Sequence, residues 1–289
     1  MSTYKLGKGP AVEDSRTLKM EKYTGKLPFP PPHVDYISEV PAFPMYGNDV
    51  LSDCVAACGG HMVENWTYNA GKPFNPSEAD IITFYENSGY VPGDPTTDNG
   101  WELLPALKNM RSKGIGGHKI VAFAKLQPGN WASFQQGVAL FGNVMIGVNL
   151  PDAVVPSDPG APDWTTIPWI WQAGMAPNPA NGHCVPGMAY AQVEGGHNAH
   201  FVSWAAVMVM NKAFYQNVSD EAYVAVTEDW IEADSKSPSG FDITQLLADL
   251  TVVTAAGFDA SSNPFAEAKA EAEAKTQAPP PSHYWGSGS

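Results

Sequence analysis

Apolar residues at helical spacing are confined to the first half of this chain, and short strand-type runs to the second; that segregation constrains the fold more than any other feature. Asp53 is placed to cap a helix that starts at Cys54 and continues through an Ala-rich apolar stretch to Trp66. Gly59 and Gly60 lie inside it and each costs roughly 1 kcal/mol against alanine, so another element is expected to pack closely there. Pro76-Ser77-Glu78 opens a second helix through Ile81, Ile82, Phe84 and Tyr85. A third is expected over 101–111, with Leu103, Leu104, Leu107 and Met110 in phase and Gly114 just beyond, and a fourth over about 131–140. The runs 144–150, 184–190, 200–208 and 222–227 read as strands. Helices first and strands second predict an α+β layout with segregated halves.

The organisation around these elements follows from proline and polarity. Residues 1–27 are polar and mixed and read as an N-terminal arm, a strap laid over the main domain. Pro28-Phe29-Pro30-Pro31-Pro32 makes a stiff, extended lead into a domain over 28–260. Its helical half is 28–142 and its β half 143–260. A Pro-rich insertion, 151–180, carries Trp164, Trp169 and Trp171 and is expected to border a cleft as a lid. An amphipathic helix is expected over 243–250. Residues 261–289 form a tail with an Ala/Glu/Lys helix candidate at 265–275, expected to be dispensable for folding.

Composition excludes several classes. With 44% hydrophobic and only 16% charged residues among 289, the chain has a core of its own and is not disordered throughout. A net charge of −14 argues against a nucleic-acid partner, which needs a basic surface. The longest apolar run, 201–210, is too short for a bilayer, and the amino end lacks the apolar stretch of a secretory signal. A cytoplasmic or intracellularly assembled product is the expectation, with no membrane partner. Three cysteines, Cys54, Cys58 and Cys184, are too few and too odd for a disulfide framework, so at least one thiol is expected free.

That thiol is where chemistry is expected. A helix N-terminus and a nearby imidazolium stabilise a thiolate, and Cys54 sits where the helix dipole favours the anion. Acyl transfer also needs donors for the developing oxyanion; the Cys54 backbone N–H is one and the Asn48 side-chain amide another. His183, in Asn181-Gly182-His183-Cys184-Val185, is the candidate base. Cys58 and Cys184 read as core. Cys54, Cys58 and His61 share a helical face, but without a Cys-x-x-Cys partner or a fourth ligand they do not make a zinc site, and no cofactor or metal is expected. Gly114-Ile-Gly-Gly-His-Lys119 lacks the ending of a phosphate loop and reads as a turn.

These residues carry a family resemblance. Gly47-Asn48-Asp49-Val50-Leu51-Ser52-Asp53-Cys54 resembles the Gly-Asn-Asp-x-x-Gly-Asp-Cys stretch of a bacterial or phage branch of the papain-like cysteine peptidases, with Asn48 six residues before the cysteine, where the family keeps its oxyanion glutamine. The Val34-Asp35-Tyr36 element, Asp98-Asn99-Gly100, Gly182-His183-Cys184-Val185 and Ser203-Trp204-Ala205 resemble further motifs, together covering about 30–231. The resemblance implies a helical half packed against a twisted antiparallel sheet or barrel with a cleft between. It also implies hydrolysis of a peptide or amide bond, Cys54 attacking, His183 moving the proton and Asn48 holding the oxyanion. Asp53 and Trp204 would support the site, and Asp98, Asn99 and Gly100 would line the substrate cleft.

The sequence departs from the family at Val202, which stands where the histidine-orienting asparagine is expected; Asn198 or His200 would then hold the imidazole. The alternative is a catalytically impaired papain-like module with a structural or binding role, for example in a phage particle. Expected partners are a peptide or protein substrate, and neighbouring subunits through arm and tail.

Overall fold

The computed structural model describes residues 5–21, 29–155 and 166–230. The expected helices over 243–250 and 265–275, Trp164 and the tail lie outside them. Helix α1, Cys54–Asn69, is buried from Cys54 to Thr67, because its alanines and glycines let neighbours approach on every side. A Cβ at Gly59 would lie 2.8 Å from Ile115 Cδ1, and one at Gly60 2.5 Å from Ile81 Cδ1. Helix α2, Glu78–Tyr85, begins with a capping box between Ser77 and Asp80. Helix α3, Leu103–Ser112, turns Leu103, Leu104, Leu107 and Met110 onto α1. Helix α4, Trp131–Phe141, is capped by Asn130, whose side chain accepts from the Ser133 N–H.

The sheet contains the short strands β1 (Leu18–Lys19) and β2 (His33–Asp35), then β3 (Ile120–Leu126), β4 (Val144–Asn149), β5 (Gly182–Val193), β6 (Gly196–Ser203), β7 (Ala206–Asn211) and β8 (Ser219–Thr227). Their order is β1-β3-β8-β4-β5-β6-β7, with β2 added alongside β5, so the sheet is open. All pairings are antiparallel except β1 with β3. The fold is α+β, with most helices on the amino-terminal side and an unclosed sheet of eight strands among the described residues.

Three features differ from the sequence reading. The run 200–208 is two strands, broken at Trp204-Ala205, where both residues take positive φ (45° and 61°) in a tight hairpin turn. Strand β3 and the short helix α5, Lys212–Val218, carry too little periodicity to be read in advance. Of the insertion's tryptophans, those described cover a sheet edge: Trp169 is 1% exposed, packs at a tilt on Phe201 and Phe214, and is bonded through its backbone to Val209 and Asn211 at the edge strand β7. Trp171 leans on Phe214. An unpaired sheet edge needs cover, and these tryptophans supply it.

Candidate active site

Cys54 is the first residue of α1, so its N–H belongs to the opening turn, whose amides have no intrahelical acceptor. Asp53 precedes it but makes no side-chain cap bond; its carboxyl is fully buried and takes a hydrogen bond from Asn48 Nδ2 (3.0 Å). Burial pushes the Asp53 carboxyl well above its ordinary range, against that bond. Cys54 is 1% exposed. The backbone N–H groups of Cys184, on β5, and of Gly7, on the N-terminal strap, are directed at its sulfur. Burial pushes the thiol up, beyond what these two amides offset, so in this closed form it is protonated.

His183 lies one residue before Cys184, opposite Val148 of β4. Its Nε2 is 2.8 Å from Ser203 Oγ, and its ring is stacked on the Trp204 indole with centroids 4.2 Å apart and planes 5° from parallel. Holding Trp204 there requires the left-handed backbone of the β6–β7 turn, which costs a bulky residue about 1–3 kcal/mol. The other ring nitrogen, Nδ1, is buried and has no hydrogen-bond partner. Desolvation pushes His183 down to about 3, so the ring is neutral.

The orienting group on His183 is Ser203, not Asn198 or His200. Along β6, Asn198 pairs with Ala191 and Asn211, and His200 with Ala189 and Val209; both stand an odd number of residues from Ser203 and so lie on the other face of the strand. Strand alternation turns Val202 to the opposite face from Ser203. There it packs with Ile37, Val40, Phe43 and Met188, so the valine does not occupy a polar position at all.

The other expected site residues divide. Asn48 is buried, with its amide nitrogen turned to Asp53 and, at 3.5 Å, to the Leu51 carbonyl. Asp98 receives the Ser52 N–H and the Tyr85 hydroxyl, each at 2.9 Å, and the Lys5 ammonium at 2.8 Å. Burial would raise its carboxyl, but these three donors together hold it below the usual range. Asn99 points away, donating to the Thr96 carbonyl. Gly100 has φ +76° and gives its N–H to the Tyr85 hydroxyl. His61 Nε2–H donates to the Pro44 carbonyl at 2.9 Å, and no cluster of three metal-binding side chains occurs among the described residues.

Sequence reasoning missed the strap's path. Residues 5–10 run between the two halves: Trp101 N–H donates to Gly7 O (2.8 Å), Gly9 N–H to Trp101 O (2.9 Å) and Lys8 N–H to Gly182 O (3.1 Å). The seat admits little but glycine. A Cβ on Gly7 would meet Ser52 O at 1.9 Å, one on Gly100 would meet Gly7 O at 2.1 Å, and one on Gly182 would meet Lys8 O at 2.4 Å. Four glycines at 7, 9, 100 and 182 were the available signal, since close backbone approach is a common reason for glycine. Because Gly7 turns its N–H to the sulfur, the carbonyl of the same trans peptide points away from Cys54. The strap therefore covers the thiol and presents an amide N–H to it.

No protein-family model matches the sequence, and no curated protein matches it. Solved structures do match in fold. The cysteine protease xylellain from Xylella fastidiosa superposes with a TM-score of 0.58 at 14% identity, covering 78% of this chain and 97% of that one. Digestive procathepsin L2 proteinase from Tenebrio molitor larval midgut gives 0.56 at 14% identity over 78% of this chain and 79% of that one. The ragweed pollen allergen Amb a 11, a cysteine protease in its proform, gives 0.51 at 15% identity over 70% and 68%. Structural neighbours of this chain are thus papain-like cysteine proteases, and at such identities the likeness establishes the fold.

Proposed function

We propose that the chain hydrolyses a peptide or amide bond, with Cys54 as nucleophile and His183 as its base. The observation that carries this reading is the half-bonded imidazole. His183 Nε2 is engaged by Ser203, while Nδ1 stays unpartnered one residue from the amide that touches the Cys54 sulfur. A buried nitrogen without a partner costs free energy, and such costs are kept where chemistry needs them. With Nε2–H donating to Ser203 Oγ, Nδ1 carries the lone pair; it makes no hydrogen bond to the Cys54 sulfur while the strap is seated, and takes the thiol proton once the strap has left. The thiolate attacks the substrate carbonyl, forming an S–C bond, and the oxyanion meets the Cys54 N–H at the start of α1. Collapse breaks the C–N bond as the imidazolium protonates the departing amine. Water, deprotonated by His183, then attacks the thioester; the C–S bond breaks, the acid leaves, and the sulfur regains its proton.

The extended strap supports a peptide substrate, because the backbone groups of Trp101 and Gly182 are spaced to bind a strand of chain. Turnover requires that the strap leave. The full-length chain carrying Gly7→Val should therefore release a fluorophore from peptide amides, and Cys54→Ala in that background should not. A folded Gly7→Val protein that binds such peptides and cleaves none would make the chain a non-catalytic papain-like module.

A further inference from the structure

The Lys8 side chain is an unusual occupant of a folded interior. It is 1% exposed, yet it belongs to a polar arm rather than to the core. Its ammonium donates to Asp220 Oδ2 at 2.8 Å and to Gly9 O at 3.0 Å, and lies 3.6 Å from Glu221 Oε1. One row across three strands builds the slot: Gly147 of β4 pairs with Cys184 of β5 on one side and with Glu221 of β8 on the other. The space is open only because residue 147 has no side chain. A Cβ there would sit 2.5 Å from Lys8 Cε and 2.7 Å from Glu221 Cγ.

Glu221 is fully buried beside Lys8, Asp220 and the Tyr223 hydroxyl, and neither of its carboxylate oxygens makes a hydrogen bond of good geometry; burial pushes its carboxyl up to about 7, against the pull of the Lys8 ammonium. A buried carboxylate in that state is costly without a cation, so the slot is built for a positive side chain. It also lies next to the thiol, since Cys184 both borders the slot and directs its N–H to the Cys54 sulfur.

We propose that this slot is the specificity pocket of the site: with the strap displaced, it receives a lysine or arginine side chain of a peptide whose backbone pairs with Trp101 and Gly182. Lys8 is its stand-in, held in cis. The pocket rests on the hydrolase reading for its use in turnover, but its preference for a cation is a property of binding and is measured separately. Asp220 and Glu221 confer the charge preference, and Gly147 admits the long apolar stem.

The test uses the full-length Gly7→Val chain, whose own strap cannot seat, with Lys8→Glu as a second strap-releasing variant should the first fold poorly. A labelled peptide of residues 5–10, Lys-Leu-Gly-Lys-Gly-Pro, is titrated by fluorescence polarisation beside the same peptide with norleucine in place of Lys8. The lysine peptide should bind at least about tenfold more tightly, and an Asp220→Asn/Glu221→Gln double variant should narrow the gap to within about threefold. Peptide amides scanned at each position should show the same lysine and arginine preference at one position only, lost in the double variant. Equal affinities for the two peptides, or a preference indifferent to Asp220 and Glu221, overturns the pocket. Selective binding without cleavage leaves the pocket standing and removes the hydrolase; cleavage without basic preference does the reverse.

Discussion

Gly7→Val isolates the strap from the rest of the molecule, because the substitution changes the arm and leaves every residue of the site in place. The valine Cβ would meet the Ser52 carbonyl oxygen at 1.9 Å and its carbon at 2.4 Å, and these are backbone atoms that cannot turn aside. The seated register is lost, and with it three backbone hydrogen bonds, Trp101 to Gly7, Gly9 to Trp101 and Lys8 to Gly182. At about 1 kcal/mol each, net, this amounts to about 3 kcal/mol, or on the order of a hundredfold in the opening equilibrium. Cys54, 1% exposed, reacts only through such opening, so its alkylation rate scales with the open fraction. Iodoacetamide labelling followed by peptide mass mapping should show Cys54 modified on the order of a hundredfold faster in Gly7→Val. The buried Cys58 and Cys184 report on global unfolding and should change little. A folded variant whose Cys54 rate stays within about twofold of the parent would refute the strap as the cover. Equal acceleration at all three thiols would assign the effect to unfolding.

Val202→Asn should not improve the site. It places an amide among Ile37, Val40, Phe43 and Met188 and should lower unfolding free energy by about 2–4 kcal/mol, as read by urea titration; an unchanged midpoint would contradict the placement. Ala205→Gly relieves a residue held at φ 61° and should raise stability by about 0.5–1 kcal/mol in the same assay, whereas destabilisation would mean the turn is not left-handed. His61 is 3% exposed and burial pushes it down to about 4, so the stability it brings is complete above its ordinary value near 6.5 and is lost as pH falls through about 4. That loss is about 3 kcal/mol between those limits, and it should be missing from the pH–stability curve of His61→Gln. Identical acid limbs for the two proteins would count against it.

The helical half was legible because its signals are local. Ser77 three residues before Asp80, Asn130 before Trp131 and Leu103 to Met110 in phase each define an element within one or two turns. The Cys54 helix start and the strand bearing His183 were equally readable from short motifs. What was missed depends on partners distant in sequence. Which face of β6 meets His183 is decided by a one-residue register, and reading Val202 in place of Ser203 reversed it. The tryptophans of the insertion read as cleft residues because their count was visible and their edge strand was not. The strap's seat combines residues 7, 100 and 182, which nothing but the fold brings together.

The central claim is that Cys54 and His183 act as a pair once the strap is released, and the pH dependence of Cys54 alkylation tests it most directly. In the closed parent the thiol is pushed up and the imidazole down to about 3 by burial, so neither ionises near neutrality. In full-length Gly7→Val both become solvated while Ser203 still holds Nε2. The rate of iodoacetamide labelling should then show an inflection well below the ordinary thiol value of about 8.5, and His183→Ala in the same background should abolish it. A profile that rises only near the free-thiol value, and is the same with and without His183, would contradict the account.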